Sequence, residues 1–226
     1  MIVIISEILT SDEVCQFREL LASAEWRDGA ETAGHIAARA KNNHQLREDH
    51  PLATQLADTL IDRLRRNGRF VSAALPLRIL PPRFNRYGVG ETYADHIDSA
   101  IFNIPGQTER IRGDVSSTLF LNDPTDYDGG ELVFHNGDIP RAIKLPAGHM
   151  VVYPADTIHR VMPITRGTRL ASFFWTQSLI RETHRRRMLF NLDSAIQSLL
   201  SSSPDAPEIV SLAGLYHNLL RDWSNT

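Results

Sequence analysis

Between Phe70 and Ser178 the chain is divided into short strand-like runs that are separated by Pro, Gly and Asn. Runs of β-branched and apolar residues bounded by such turn residues are typical of β-strands. The clearest of them are Leu77 to Leu80, Val115 to Leu121, Leu132 to Phe134 and Met150 to Tyr153. Many short strands at turn-rich intervals favour a double-sheet β architecture, and we predict a jelly-roll core, that is, a double-stranded β-helix.

Helical patterns precede this region. Thr10 and Glu13 have the spacing of a capping box, and apolar residues at helical spacing follow them. A second helical pattern covers Leu52 to Arg65. Because each pattern has one apolar face, we expect both helices to buttress a sheet.

Helical patterns return after the strands, at Met188 to Leu200 and at Ile209 to Trp223, with a Ser-Pro stretch between them. The sequence therefore predicts an α+β fold that is mainly β. We expect residues 1–178 to form a jelly-roll domain with its N-terminal helices, and residues 179–226 to form a C-terminal helical extension.

His96-Ile97-Asp98 is a candidate pair of metal ligands. In an extended strand residues i and i+2 point to the same face, so His96 and Asp98 would reach one ion while Ile97 turned into apolar packing. Two imidazoles and one carboxylate on one side of an ion leave neighbouring coordination positions open, as an Fe(II) oxygenase requires. A His-x-Asp pair by itself is short enough to arise by chance.

A second histidine ligand is found by elimination. His135, His149 and His159 lie downstream of Asp98 and before the C-terminal helical patterns, and only His159 is followed ten residues later by an arginine, Arg169. The combination of His159 with Arg169 therefore distinguishes this histidine from the other two.

The segment between His159 and Arg169 contains Pro and Gly, and the flanking residues Ile158 to Val161 and Leu170 to Trp175 have strand-like composition. We therefore predict a hairpin. If its turn centred on Thr165, His159 would face Ala171 and would lie diagonally beside Arg169 on one face of the sheet.

A cation at that place suits an acidic co-substrate. The guanidinium of Arg169 is always charged and can bind a carboxylate through two hydrogen bonds. A five-carbon dicarboxylate could chelate iron through a keto acid at one end and meet Arg169 at the other, a description that fits 2-oxoglutarate. Taken alone, Arg169 would be an ordinary solvated surface cation.

Several stretches of the chain together resemble a known family: YGVGETYADHID (Tyr87 to Asp98), SSTLFLNDPTDYDGGELV (Ser116 to Val133) and YPADTIHRVMPITRGTRLASFFW (Tyr153 to Trp175). They are similar to the Fe(II)- and 2-oxoglutarate-dependent dioxygenases of the prolyl hydroxylase type. WRDGAETAG (Trp26 to Gly34) and KNNHQL (Lys41 to Leu46) resemble more narrowly the bacterial PKHD-type (prolyl/lysyl hydroxylase domain) hydroxylases, the PiuC group associated with iron uptake.

The resemblance implies that His96, Asp98 and His159 bind Fe(II), that Arg169 anchors the distal carboxylate of 2-oxoglutarate, and that Tyr87 contacts this co-substrate. Without the resemblance, Tyr87 would be an ordinary strand aromatic. It further implies O2 as co-substrate, ascorbate as a reductant, and release of succinate and CO2 as a carbon centre is hydroxylated.

Two details of the resemblance matter for the chemistry. Iron halogenases of the broader superfamily have a small residue where this chain has Asp98, so hydroxylation is favoured over halogenation. Many eukaryotic prolyl hydroxylases have a second tyrosine on the strand matching Ser117 to Leu121, where this chain has none. The hydroxyl group that assists Arg169 is therefore left open.

Composition agrees with an enzyme of the cytoplasm that binds neither nucleic acid nor membrane. The formal net charge is -3, so no basic field favours nucleic acid, and we interpret Arg181 to Arg187 as a solvated helix face. A single cysteine, Cys15, fits a reducing compartment. We find neither a signal peptide nor an apolar run of the roughly eighteen residues that would cross a membrane.

Two questions stay open at this point. A cupin-like jelly roll could use the same pocket to sense or bind a metal or 2-oxoglutarate without turnover. The primary substrate could be a peptide or protein side chain, or a component of iron uptake, and self-association into a homo-oligomer is undecided. We expect Asp28 to Gln45 and Arg112 to Ser116 to line the entrance for that substrate.

Overall fold

The computed structural model describes residues 1–32, 40–104, 108–135 and 139–225. Their β-strands, numbered in chain order, are β1 (Val3–Ile5), β2 (Trp26–Asp28), β3 (Lys41–Asn42), β4 (His44–Leu46), β5 (Pro76–Ile79), β6 (Arg83–Tyr87), β7 (Thr92–His96), β8 (Ile101–Asn103), β9 (Arg110–Arg112), β10 (Val115–Phe120), β11 (Asp128–Gly129), β12 (Leu132–Phe134), β13 (Arg141–Ile143), β14 (Met150–Pro154), β15 (His159–Val161), β16 (Ile164–Arg166) and β17 (Arg169–Ser178). The helices are α1 (Ser11–Ala22), α2 (Pro51–Arg66), α3 (Gly68–Ala74), α4 (Thr183–Ser202) and α5 (Glu208–Trp223), with a 3-10 turn at Gly29–Thr32.

Two antiparallel sheets form the body of the molecule. The major sheet has eight strands in the order β1-β14-β10-β17-β6-β4-β2, and β5 pairs with β17 beside this path. The minor sheet has five strands in the order β13-β12-β15-β7-β3. Several pairs of neighbouring strands are far apart in the sequence, such as β1 with β14 and β6 with β17, as in a jelly roll, so the predicted fold class is confirmed.

Apolar side chains from both sheets meet between them, and a second apolar layer lies between the major sheet and the N-terminal helices. The inner layer includes Phe134 from the minor sheet and Phe120 from the major sheet. The outer layer includes Phe84 and Phe174, which belong to strands of the major sheet, together with Leu60 of α2. Because strand residues alternate between faces, one strand can serve both layers: in β14, Val151 and Tyr153 belong to the inner layer, and Met150 and Val152 to the outer one.

The N-terminal helices follow the prediction closely. The capping box is present: the Glu13 backbone N–H donates to Thr10 Oγ1 at 3.3 Å, and the Thr10 N–H donates to Glu13 Oε2 at 2.9 Å. Helix α2 covers the predicted Leu52 to Arg65. Its residues Leu60 and Leu64 are fully buried, and each such side chain contributes about 2 kcal/mol of stability by leaving water.

Helix α3 was not predicted, and the expectation that strand-like structure begins at Phe70 is wrong for its first residues. The side chain of Asn67 accepts a hydrogen bond from the Phe70 N–H at 2.9 Å and so starts a new helix directly after α2. Phe70 and Ala74 are buried within the apolar layer under the major sheet. Tertiary burial therefore decides the conformation of a segment too short to show helical periodicity.

The C-terminal helices α4 and α5 include the predicted Met188 to Leu200 and Ile209 to Trp223, and α4 begins earlier, at Thr183. A separate apolar cluster joins them to the rest of the chain through Leu75, Ile180 and Leu189. In the described part of the chain, each helix is too short or too polar to span a lipid bilayer.

The interpretation of Arg181 to Arg187 as a solvated helix face is wrong for Arg186, which is 3% exposed. Its guanidinium donates hydrogen bonds to the backbone carbonyls of Ile180 at 2.8 Å, Arg181 at 2.7 Å and Asp114 at 3.1 Å. The side chain thus ties the start of α4 to the end of the jelly roll. Arg187, the next residue, is exposed as expected.

Replacing Arg186 by methionine is expected to lower the free energy of unfolding by about 2 to 4 kcal/mol, because buried carbonyl groups lose their donors. Replacing the exposed Arg187 by methionine removes the same charge and should change it by no more than about 0.5 kcal/mol. Urea unfolding of both variants checks this, and equal effects would contradict the structural role of Arg186.

The predicted hairpin between His159 and Arg169 is not formed. Strand β15 pairs with β7 and β12 of the minor sheet, whereas β17 pairs with β5, β6 and β10 of the major sheet. Between them, β16 pairs with β11 instead. The turn-forming residues Pro163 and Gly167 flank β16, so the chain crosses from one sheet to the other rather than folding back on itself.

Candidate metal and co-substrate site

His96 and His159 are directly opposite each other on neighbouring strands of the minor sheet. His96 is the last residue of β7 and pairs with His159, the first residue of β15. Their ring centroids are 4.2 Å apart. The partner of His159 is therefore His96 and not Ala171, because β15 belongs to the minor sheet.

Both imidazoles are held in the form that binds a metal through Nε2. His96 Nδ1 lies 2.8 Å from the Ala94 carbonyl oxygen, and His159 Nδ1 lies 2.9 Å from that of Thr157. A carbonyl only accepts hydrogen bonds, so each Nδ1 donates its N–H to the carbonyl, and in the neutral ring Nε2 is then the nitrogen whose lone pair can bind a metal. Burial, to which the neighbouring His159 adds, lowers the pKa of His96 well below its ordinary value and keeps this ring neutral.

Asp98 completes the group from just beyond the end of β7. Its Oδ2 accepts a hydrogen bond from Ser116 Oγ at 2.5 Å and lies 3.9 Å from His159 Nε2. The prediction that Ile97 packs inward is wrong: Ile97 is 55% exposed and lines the cavity mouth. Strand β7 ends at His96, so the strict alternation of a strand no longer fixes where Ile97 and Asp98 point.

One potential ligand atom from each of His96, Asp98 and His159 lies within 4.8 Å of the other two, close enough to hold one metal ion. Two neutral nitrogen donors and one carboxylate form the donor set preferred by non-haem Fe(II) with open coordination positions. The residues present therefore fit Fe(II). A closed tetrahedral zinc site would need a fourth protein ligand.

Arg169 lies in the same cavity, on the opposite sheet. It is the first residue of β17 and pairs with Tyr87 of β6. The side chain is only 1% exposed, with its guanidinium 5.4 Å from the Tyr87 ring and 5.1 Å from the Phe120 ring. The interpretation of Arg169 as a solvated surface cation is therefore wrong.

Two nitrogen atoms of that guanidinium, Nε and Nη2, are buried and have no hydrogen-bond partner among the described residues. A buried cation without an anion costs several kcal/mol of stability. The two donors of Arg169 have the fork geometry that suits a carboxylate. The arrangement thus fits an acidic ligand that enters the cavity from the metal side.

Three tyrosines lie near the site: Tyr87 and Tyr127 near Arg169, and Tyr153 beside His159. Burial raises the pKa of Tyr87 to about 12, so its hydroxyl group stays neutral. The Tyr127 hydroxyl is buried and has no geometric hydrogen-bond partner in the described chain; burial raises its pKa, and the charge of Arg169 opposes part of that rise. The Tyr153 hydroxyl lies 3.3 Å from His159 Nε2.

Tyr127 and Tyr153 are site residues that the sequence alone does not single out, although both fall within the stretches that carry the family resemblance. Their positions depend on how the two sheets face each other, which no local pattern reports. The charge of Arg169 lowers the pKa of all three tyrosines, and Tyr127 is the one of the three whose buried hydroxyl has no geometric hydrogen-bond partner among the described residues. Tyr127 is therefore a candidate for the assisting hydroxyl, and it lies outside the strand where the resemblance would place one.

The pair Gly129-Gly130 allows the backbone to pass close to Arg169. Both residues have positive φ, 75° and 68°. A Cβ atom on Gly130 would lie 2.4 Å from Ile164 Cδ1 and 3.1 Å from Arg169 Cδ, and one on Gly129 would lie 2.0 Å from the Pro163 carbonyl oxygen. Glycine is therefore required at both positions by contact as well as by backbone conformation.

Replacing Gly130 by alanine is expected to destabilise the fold by about 2 to 4 kcal/mol, through the left-handed backbone and the overlap with neighbours. The matched control is Gly214→Ala on α5, where a Cβ meets nothing within 4 Å and should stabilise by up to about 1 kcal/mol. Thermal and urea unfolding measure both. A Gly130→Ala variant as stable as the parent would contradict the close contact with Arg169.

A cavity of about 310 Å³ connects the metal cluster of His96, Asp98 and His159 with Arg169. Residues from both sheets form its wall. Lys41, Gln45 and Ser116, from the segments predicted to line the entrance, belong to this wall. Arg112 and Asp114, from the same segments, instead form an ion pair at 2.7 Å and are not part of the wall. Residues 33–39 of the predicted lining lie outside the described residues.

Comparison with known proteins agrees with this site. The family model of the 2OG-Fe(II) oxygenase superfamily matches residues 82–177, and that of the PKHD-type hydroxylase C-terminal domain matches residues 184–225. The first match defines the class, an oxygenase that uses Fe(II) and 2-oxoglutarate. The solved structure of an oxidoreductase of the 2OG-Fe(II) oxygenase family from Burkholderia pseudomallei has the same fold, with a TM-score of 0.59. The two sequences are 18% identical, and the match covers 78% of this chain and 85% of that chain.

Curated relatives make the assignment narrower. A PKHD-type hydroxylase of Nitrobacter winogradskyi is 57% identical over 100% of both chains, and the PKHD-type hydroxylase PiuC of Pseudomonas aeruginosa is 50% identical over 99% of both. The chain therefore belongs to the PKHD-type hydroxylase family of Fe(II)- and 2-oxoglutarate-dependent oxygenases. Membership makes it an oxidoreductase with Fe(II) as cofactor and with 2-oxoglutarate and O2 as co-substrates, as predicted from the sequence.

Proposed function

We propose that His96, Asp98 and His159 are the Fe(II) ligands and that Arg169, with Tyr87 beside it, binds the distal carboxylate of 2-oxoglutarate. The observation that carries this proposal is the buried guanidinium of Arg169, whose Nε and Nη2 have no partner among the described residues and which lines the same cavity as the metal cluster. When bound, Fe(II) supplies the activation of O2 that couples decarboxylation of 2-oxoglutarate to hydroxylation of a carbon centre.

The protein's own contribution is positioning and exclusion of water. The backbone carbonyls of Ala94 and Thr157 fix the two imidazoles, and Ser116 orients the carboxylate of Asp98. Such outer hydrogen bonds typically change metal affinity about 10- to 100-fold. The ring of Tyr93 stacks on His96 at 3.5 Å between centroids and shields that ligand from solvent.

The primary substrate that we propose is a peptide, a protein side chain or a molecule related to iron uptake, hydroxylated at carbon with release of succinate and CO2. The shared name of the relatives, PKHD-type hydroxylase, supports hydroxylation. The resemblance to the PiuC group supports the iron-uptake alternative. We place the reaction in the cytoplasm, with ascorbate as a reductant that restores Fe(II).

We also propose that residues 1–178 and 179–226 act as a catalytic unit and a helical extension. The two family models fall on either side of this boundary, at 82–177 and 184–225. The apolar cluster around Leu189, which includes side chains of α5, is separate from the two layers of the jelly roll. These observations support the division.

Succinate formation tests the proposed function. Purified protein with Fe(II), O2 and 2-oxoglutarate is expected to release succinate slowly even without a primary substrate. His159→Ala should abolish this release, whereas His217→Ala, at an exposed position of α5, should not. Binding of both Fe(II) and 2-oxoglutarate without succinate under any condition would favour the cupin-like sensing protein.

A further inference from the structure

The hydroxyl of Tyr153 lies against the histidine nitrogen that would bind a metal. Tyr153 belongs to β14 of the major sheet, and its hydroxyl oxygen is 3.3 Å from His159 Nε2. Because His159 Nδ1 donates to the Thr157 carbonyl, Nε2 of the neutral ring accepts and the tyrosine O–H donates. The hydroxyl therefore competes with a metal ion for this lone pair.

The ring of Tyr153 is held in place by its packing. The residue is 4% exposed, and its ring meets those of Phe134 and His159 edge-on, with centroids 4.7 Å and 5.0 Å away. Its strand is paired on both sides, with β1 and β10. The hydroxyl consequently stays within reach of a group that binds beside His159.

The hydrogen bond of Tyr153 loses its acceptor when a metal ion binds His159 Nε2. A buried hydroxyl without an acceptor is unfavourable, so the tyrosine then needs a new one. Metal ions bind imidazole nitrogen at about 2 Å, and ligand atoms that are neighbours on one ion are therefore about 3 Å apart. An oxygen atom bound to the metal beside Nε2 is within reach of the Tyr153 hydroxyl.

The groups around Tyr153 place its hydroxyl between the two ends of the site. Burial and the negative charge of Asp98 raise the pKa of Tyr153, whereas a hydrogen bond with Thr118 and the charge of Arg169 lower it. A hydrogen bond that lowers the pKa of a phenol is donated to its oxygen, so Thr118 leaves the tyrosine proton available. This position lies along the path that a five-carbon dicarboxylate would span from the metal cluster to Arg169.

We propose that the Tyr153 hydroxyl donates a hydrogen bond to the metal-chelating keto acid of 2-oxoglutarate, at the end opposite to Arg169. This inference rests on the proposed function, because it requires the co-substrate to bridge the metal cluster and Arg169. The keto acid has only acceptor oxygens, which suits a donating hydroxyl. Binding is then ordered, since the metal first takes the lone pair of His159 and so frees the hydroxyl for the keto acid.

Tyr153→Phe tests the proposal, because it removes the hydroxyl and keeps the buried ring. Fe(II) affinity without 2-oxoglutarate, measured by anaerobic dialysis, should not fall, since the hydroxyl competes with the metal. The dissociation constant for 2-oxoglutarate on Fe(II)-loaded protein, measured by calorimetry without oxygen, should rise about 10- to 100-fold, as expected for one hydrogen bond to a charged group. The control Tyr216→Phe, on α5 and not among the described residues of the cavity wall, should change neither constant.

Pyruvate shows which end of the co-substrate the hydroxyl meets, because it has the keto acid and lacks the distal carboxylate. It is titrated at millimolar concentration into the same Fe(II)-loaded proteins. Tyr153→Phe should weaken pyruvate and 2-oxoglutarate by a similar factor, whereas Arg169→Ala should weaken 2-oxoglutarate alone. A loss in Tyr153→Phe that is confined to 2-oxoglutarate would place the hydroxyl at the Arg169 end and overturn the proposal.

The metal-to-ligand charge-transfer band of the iron chelate reports on the same contact. A hydrogen bond to the keto acid lowers the energy of its acceptor orbital, so the band should move to shorter wavelength in Tyr153→Phe. An unshifted band, an unchanged affinity for 2-oxoglutarate, or a fall in Fe(II) affinity would each overturn the proposal. If the parent protein forms no band with Fe(II) and 2-oxoglutarate, the proposed function itself fails.

Discussion

Asp98→Ala is expected to lower the affinity for Fe(II) by more than about 100-fold, since loss of a hydrogen bond outside the ligand set already costs about 10- to 100-fold. The variant removes the one carboxylate of the cluster and leaves Ser116 without its acceptor at 2.5 Å. Anaerobic equilibrium dialysis against Fe(II), without 2-oxoglutarate, measures the effect directly. His96→Ala should give a similar loss.

The matched control is Asp95→Ala. Asp95 lies on the same strand, β7, immediately before His96, but its carboxylate accepts a hydrogen bond from His135 at 2.9 Å and forms an ion pair with Arg160 at 3.5 Å instead of joining the cluster. Its replacement removes an equal charge and should leave Fe(II) affinity within about threefold, as expected for a screened surface pair. Similar losses in both variants would mean that total charge, rather than ligation by Asp98, controls metal binding.

Arg169→Ala should weaken binding of 2-oxoglutarate by about 100- to 10,000-fold, because two charge-assisted hydrogen bonds of about 1.5 to 3 kcal/mol each are lost. Fe(II) affinity in the absence of 2-oxoglutarate should be unchanged, since Arg169 belongs to the opposite sheet. The dissociation constant for 2-oxoglutarate, measured without oxygen on Fe(II)-loaded protein, gives the result.

Two further variants show whether the fork of Arg169 matters beyond its charge. Arg169→Lys keeps the charge but loses the planar pair of donors and should give an intermediate affinity. Arg166→Ala removes an exposed arginine of β16 that pairs with Asp128 at 2.7 Å, and it should leave the affinity unaffected. If Arg169→Ala binds 2-oxoglutarate as tightly as the parent, the assignment of Arg169 as the anchor is wrong.

Local features of the fold were predictable because local chemistry produces them. The capping box of Thr10 and Glu13, the helix α2 and the strand Leu132–Phe134 each follow from patterns within a few residues. The pairing of strands was not predictable in this way. Strand β15 and strand β17 are near in sequence, yet they belong to opposite sheets because β16 pairs with β11 between them.

The same distinction applies to the site. The residue types needed for the chemistry were recognised in the sequence, and the structure brings His96, Asp98 and His159 together and places Arg169 in the same cavity. The reason given for the proximity of His159 and Arg169 was wrong, because it relied on one hairpin, whereas the two residues lie on strands of different sheets. The residues of the site come together from two facing sheets. No local sequence pattern predicts such an arrangement, and Tyr127 could therefore not be predicted as a site residue.

The most direct test of the central claim is an anaerobic titration of Fe(II) into the wild-type protein with and without 2-oxoglutarate, monitored in the visible range. We predict a metal-to-ligand charge-transfer band that requires both additions and saturates at one Fe(II) per chain. Folded protein that binds Fe(II) and 2-oxoglutarate but shows no band would contradict chelation of 2-oxoglutarate by iron at this site.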